Sequence, residues 1–342
     1  MKRLTIASLL IVAALGVAHA QAPGKQSIGR LDPALDTIVS MDAKVEMLKE
    51  EAFGISEGPI WIPEGPSGYL LFSDISANVI YKWSHDNQMS VFLKNSGYTG
   101  DLGKISFEGY LARSGPLFVY NFGSNGITLD RQGRIVFCAQ GDRSIVRLEK
   151  DGGRTVLADR YEGKRLNRPN DLVVKSDGAV YFTDPRMDNP TMELPSNAVF
   201  MVKDGKIQLL VSDFRPNGIA FSPDEKVLYI NGDGGIRRYD VLPDGTISNG
   251  RVFVDMTIDK TPGGPDGMKV DLKGNVYCTG PGGIWIMSPE GKHLGTILLP
   301  APATNLAFGD TDYRTLYITD RRSLVKIRLK AAGIAPGPQR SN

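Results

Sequence analysis

The sequence predicts an all-β fold, a six-bladed β-propeller with four-stranded blades around a central channel, on three observations. A short phrase with an oxygen-bearing side chain returns six times: Glu57-Gly58-Pro59, Asn125-Gly126-Ile127, Asn170-Asp171-Leu172, Asn217-Gly218-Ile219, Asp266-Gly267-Met268 and Asn305-Leu306-Ala307. From Asn125 onward the phrases are 45, 47, 49 and 39 residues apart, the period of a propeller blade, and the first step of 68 leaves room for an insertion. Between the phrases, short alternating apolar runs are broken by Asp/Gly turns, four strands at a time.

In chain order, Lys2 and Arg3 precede the apolar run Leu4 to Val17 and the small-x-small site Ala18-His19-Ala20. Residues 1–20 read as a cleavable export signal, since the run is short for the roughly 20 residues of a membrane span. The expected compartment is therefore periplasmic or secreted, with no span in the mature protein. Residues 21–42 read as a leader with little patterning of its own, 43–330 as the propeller and 331–342 as a tail. Blade two is the plainest. Ile127-Thr128-Leu129 is its first strand, Arg134 to Cys138 its second, Ser144 to Leu148 its third and Thr155-Val156-Leu157 its fourth. Blades three, four and five repeat it through the turns Ser176-Asp177-Gly178, Ser222-Pro223-Asp224 and Asp271-Leu272-Lys273-Gly274. The last repeat has three strands only, so a strand from Lys44 to Lys49 is expected to complete it and close the ring.

A repeat ring is one domain even at 342 residues, and a net charge of +2 with 23% charged residues gives no field for nucleic acid. Cys138 and Cys278 fall on the second strands of blades two and five, opposite each other across the ring. That is too far apart for a disulfide.

Closure would bring Glu57, Asn125, Asn170, Asn217, Asp266 and Asn305 together near the axis. Taken singly, an Asn-Gly reads as a turn. In register with two carboxylates, the set reads as a site for one hard divalent cation, calcium first, with zinc, manganese or magnesium as alternatives. Two long segments, about 95–123 and 185–197, map to the same mouth as lids or walls. A Ser-His-Asp triad is excluded by counting: beyond His19 there are only His85 and His293, both read as solvated turn residues away from the ring.

Ser56-Glu57-Gly58-Pro59-Ile60-Trp61, Asn167-Arg168-Pro169-Asn170-Asp171-Leu172, Pro216-Asn217-Gly218-Ile219 and Gly264-Pro265-Asp266-Gly267-Met268 together resemble the SMP-30/gluconolactonase family. Tyr181-Phe182-Thr183-Asp184-Pro185 and Thr304-Asn305-Leu306-Ala307-Phe308-Gly309 fit its bacterial branch. The resemblance implies a six-bladed propeller with one divalent ion in the channel and hydrolysis of a small sugar lactone. It implies Glu57, Asn217 and Asp266 as metal ligands, Asn170 at the metal or substrate, and Arg168 on the substrate. Asn125 and Asn305 would stand against the substrate or behind the ligands. Asp266 is the candidate general base. The sequence departs from the branch at Gln140, where relatives often carry a Glu-His pair around Ala139-Gln140, which bears on one pocket wall. Two other functions remain open at this point: an esterase or phosphoester-type hydrolase on the same ion, and a non-catalytic calcium-containing binding propeller.

Overall fold

The computed structural model describes residues 27–65, 67–102, 111–114, 117–186 and 191–337. Residues 1–20, read above as an export signal, part of the leader, part of each long segment and the end of the tail lie outside them.

Six antiparallel sheets form the blades, five of four strands and one of five. Blade one is Ser56–Ile62, Tyr69–Asp74, Val79–Ser84 and Met89–Lys94, and blades two to five follow the same inner-to-outer order from Ser124–Leu129, Leu172–Val174, Pro216–Phe221 and Met268–Val270. Blade six has Asn305–Gly309, Thr315–Thr319 and Leu324–Arg328, and Val45–Lys49 supplies its outer strand, pairing Val45 with Ile327 and Glu46 with Lys326. The first and last stretches of the ring thus share one sheet, and closure removes two edges that would otherwise be unpaired. Stacked Trp61 and Tyr317, with ring centroids 5.6 Å apart, pack the seam between blades six and one. Elsewhere large side chains such as Phe72, Phe137, Tyr181, Phe200 and Tyr277 are fully buried between neighbouring sheets.

The leader carries more structure than its pattern suggests. Ile28–Arg30 adds a fifth strand to blade five, Ile28 facing Ile297, and the 3-10 helix Pro33–Thr37 buries Leu35 in the core between blades five and six. Asp32 caps that helix by accepting from the Ala34 N–H, the usual role of an N-cap aspartate.

The recurrent Glu-Gly and Asn-Gly phrases are not hairpin turns. They lie at the start of the innermost strands, and the ladders of blades one, two and four slip register there, between Glu57 and Ile60, opposite Phe137 and Ala139, and between Pro216 and Ile219. Such bulges re-aim a side chain, here toward the axis. The glycine that follows is demanded by the neighbouring blade. A Cβ on Gly58 would stand 2.1 Å from the Asn125 carbonyl oxygen, and one on Gly218 2.1 Å from that of Asp266. Gly126 and Gly267 meet the next blade in the same way. Gly218→Ala is therefore expected to destabilise by roughly 1–3 kcal/mol, the cost of overpacking a rigid contact. Denaturant melts check it, and a wild-type midpoint would contradict the close approach.

At the rear of the channel the residues Ile334 to Gly337 lie across the inner strands of the blades, over a largely apolar hollow of about 140 Å³. The Asp271–Gly333 bridge and Ile334 donating its N–H to the Val270 carbonyl fasten this segment down. Cys138 and Cys278 are both free and buried.

Candidate functional site

The front mouth opens on a cavity of about 520 Å³ whose wall carries Glu57, Asn125, Asn170, Asn217 and Asp266, one residue from each of five blades. Arg168 and Gln140 line it as well, and Thr304, just before Asn305, brings the sixth blade to the same wall. Sequence position and geometry meet here: each donor is the residue at or beside the start of an innermost strand.

Glu57 is buried. Its Oε2 accepts from Asn305 Nδ2 at 3.0 Å and from the Gly58 N–H at 2.9 Å, which places Asn305 behind the carboxylate. Burial pushes the Glu57 carboxyl up to about 7, with the Asp171 carboxylate adding to the rise and the Asn305 and Gly58 hydrogen bonds opposing it. Asp266 is raised well above the usual carboxylate range by burial and then by the charge of Glu57, against the pull of Arg321 and the Asn217 amide. Asp171, next to Asn170, is raised by burial as well. Three carboxylates in one low-dielectric neighbourhood destabilise one another unless a cation stands among them.

The amides point the same way. Asn125 Oδ1 and Asn217 Oδ1 are buried with no hydrogen-bond partner among the described residues. Buried carbonyl oxygens without donors are costly, and a hard cation is one group that would satisfy them. No three His, Cys, Asp or Glu side chains among the described residues cluster as a metal site. The donor set is two carboxylates with amide oxygens, which suits a hard ion better than one that seeks imidazole or thiolate.

Arg168 is buried at the cavity edge. Its Nη2 donates to the Asn121 carbonyl and to Gln140 Oε1 at 3.4 Å, so the side chain at the departing position forms part of the arginine's seat. The loop beneath it is held by Asp184, whose Oδ2 and Oδ1 accept the main-chain N–H groups of Asn167 and Arg168 at 2.7 and 2.6 Å. Burial lifts the Asp184 carboxyl to about 7. Sequence reasoning missed Asp171, Asp184 and the rim residues Arg215, Asp233 and Arg321. The first two stand within the quoted motifs, which gave them no role of their own.

Of the two long segments, Pro185 reaches the cavity wall, while Thr99 anchors the other by donating from its hydroxyl to Asp142 at 2.9 Å. The two histidines among the described residues, His85 and His293, are not in the cavity wall. His85 is exposed as expected, but His293 is a half-buried strand residue stacked on Trp285, its ring centroid 3.7 Å away. The nearby Pro-Glu-Gly turn ends before it, so the turn reading of His293 is corrected.

The SMP-30/Gluconolactonase/LRE-like region family matches residues 55–322. A gluconolactonase of Zymomonas mobilis subsp. mobilis is 34% identical over 325 residues, spanning 90% of this chain and 87% of that protein. A pentonolactonase of Haloferax volcanii is 29% identical over 57% of this chain and 66% of its own length. Among solved structures, a gluconolactonase of Xanthomonas campestris superposes with a TM-score of 0.74 at 30% identity, covering 89% of this chain and 95% of that one.

Proposed function

Because this chain belongs to the SMP-30/gluconolactonase/LRE-like family, we propose that its front-mouth ring hydrolyses a small sugar lactone with the help of one divalent cation. The protein is a lactonase enzyme of the gluconolactonase type. The observation that carries the mechanism is the convergence of the raised carboxylates Glu57 and Asp266 with the unpartnered amide oxygens of Asn125 and Asn217.

Glu57, Asn170, Asn217 and Asp266 would hold the ion, and calcium fits this all-oxygen set best. When bound, such an ion supplies Lewis-acid polarisation of the lactone carbonyl and a lowered pKa for water. Asp266 would take the proton of the attacking water, a role supported by its position on the cavity wall and by the Asn217 amide hydrogen-bonded to it. Arg168, seated on Asn121 and Gln140, orients the sugar hydroxyls, and after ring opening it can pair with the product carboxylate. Asn125 and Asn170 offer amide donors to the same sugar. The export signal read at residues 1–20 would place this reaction outside the cytoplasm.

The test is proton release from gluconolactone and other sugar lactones by the mature protein, with spontaneous opening subtracted. Chelation is expected to abolish the acceleration, and restoring one of Ca²⁺, Zn²⁺, Mn²⁺ or Mg²⁺ to recover it. Metal demonstrably bound with no acceleration on any sugar lactone would redirect the reading to another ester.

A further inference from the structure

We infer that a second ring of small hydrogen-bonding side chains, one strand outside the oxygen donors, positions those donors by tying each blade to the next. It rests on the reading of the donors given above. Its members sit at the end of the second strand of a blade, opposite the start of the first, which is bulged in the blades of Ser73 and Asn231, and all three, Ser73, Thr183 and Asn231, are wholly buried. In each case the side chain leaves its own blade and donates to the main-chain carbonyl of the donor residue on the following one. Ser73 Oγ reaches Asn125 O at 2.8 Å, Thr183 Oγ1 reaches Asn217 O at 2.6 Å, and Asn231 Nδ2 reaches Asp266 O at 2.6 Å.

Two of the three also grip their own blade's inner strand, which makes them bridges rather than caps. Thr183 Oγ1 accepts the Asp171 N–H at 3.1 Å, and Asn231 Oδ1 accepts the Gly218 N–H at 2.9 Å. The seam of the ring is closed in the same manner from a neighbouring position. Thr304 Oγ1 donates to the Ser56 carbonyl at 2.7 Å, beside Glu57, and stands 2.8 Å from the hydroxyl of Thr319.

The physical reason lies at the starts of the inner strands. Where the strand slips register, as at Asn125 and Asn217, or has not yet begun, as at Asp266, the ladder leaves the carbonyl without a partner in its own sheet. A buried carbonyl must find a donor, and a short side chain from the adjacent blade supplies one. Because that carbonyl belongs to the donor residue itself, the bond sets where the donor's Cα sits and so where its oxygen points. Fixing blade-to-blade offsets within tenths of an ångström is what a multi-blade ligand set needs, as no single blade holds two of its side chains. Ser73, Thr183 and Asn231 are positioning residues, and none of the three is among the residues lining the cavity.

Thr183→Val removes the donor while keeping the shape, and Thr183→Ser keeps the donor. Binding of Mn²⁺ to the cation-free full chain, followed by calorimetry, is read beside KM, kcat and the cation-free Tm. Thr183→Val is expected to weaken Mn²⁺ binding about tenfold and to lower the cation-free Tm by a few degrees, since the Asn217 carbonyl and the Asp171 N–H lose their partner, and Thr183→Ser to return Mn²⁺ binding to within about twofold of wild type. Ser73→Ala is a gentler second probe. Its acceptor is the carbonyl of Asn125, a substrate-side residue, so it is expected to raise KM several-fold while leaving Mn²⁺ binding in place. Wild-type Mn²⁺ affinity in Thr183→Val, or an unchanged KM in Ser73→Ala, would overturn the inference alone. Wild-type protein that bound no divalent cation would overturn the underlying reading and this inference with it.

Discussion

Asp266→Asn and Glu57→Gln are each expected to lose the divalent cation and lactone hydrolysis together, with kcat/KM falling on the order of a thousandfold, the several kcal/mol that Lewis-acid stabilisation supplies. The same substitutions should stabilise the cation-free protein, because each removes a charge that burial and its neighbour oppose. Opposite signs for activity and cation-free stability distinguish a functional ring from a packing defect, which would lower both. Calorimetric metal titration, kinetics and melts in chelator read the three quantities. Wild-type turnover in either variant would remove that residue from the mechanism.

The second large effect is a pH dependence that the cation should erase. Without an ion, the Glu57 carboxyl lies at about 7 when folded against an ordinary value of 4.5. A folded pKa above the unfolded one means that protonation favours the fold. That contribution is fully present below about 4.5 and is lost as pH rises through about 7, a loss of roughly 3 kcal/mol. Asp266 shifts in the same direction. The chelated protein should therefore lose thermal stability between about pH 5 and pH 8, whereas saturating cation, which binds the deprotonated carboxylates, should remove or reverse the trend. Asp184, also raised to about 7, titrates in that window with or without the ion, so the difference between the two melt series is the quantity to read. Parallel curves would mean that the ion does not sit on these carboxylates.

The blade count, the missing strand of the last repeat and its completion near Lys44 to Lys49 were legible because they are periodic. A period survives in the sequence even where a single strand is ambiguous. What lay hidden was contact between blades. Gly58 and Gly218 look like turn glycines in any local window, but their reason is a carbonyl oxygen about 50 or more residues away, 2.1 Å from where a Cβ would stand. Asp184 reads as an ordinary strand-end aspartate until its carboxylate is seen on two consecutive main-chain N–H groups. Thr183 and Asn231 carry no chemistry of their own, so nothing local marks them as supports, even though Thr183 stands within a quoted motif. Ile28–Arg30, at three residues, is too short for alternation to show. The oxygen donors were visible as residues, whereas the supports that aim them are properties of the closed ring.

The shared sheet of blade six has a consequence in time. Val45–Lys49 and Leu324–Arg328 are joined across nearly the whole ring, so their ladder is the contact of greatest sequence separation among the strands and carries a large loop-closure cost until the intervening blades are in place. The four consecutive strands of each of blades one to five can form from local hairpins, in any order, and only the added strand Ile28–Arg30 of blade five must wait for distant chain. The last sheet cannot form until both ends of the propeller are present and near each other. The ring therefore behaves as a clasped bracelet whose clasp shuts late in folding, and the chain beyond each side of the clasp, Ile28–Arg30 and Gly333–Ile334, is tied down on blade five.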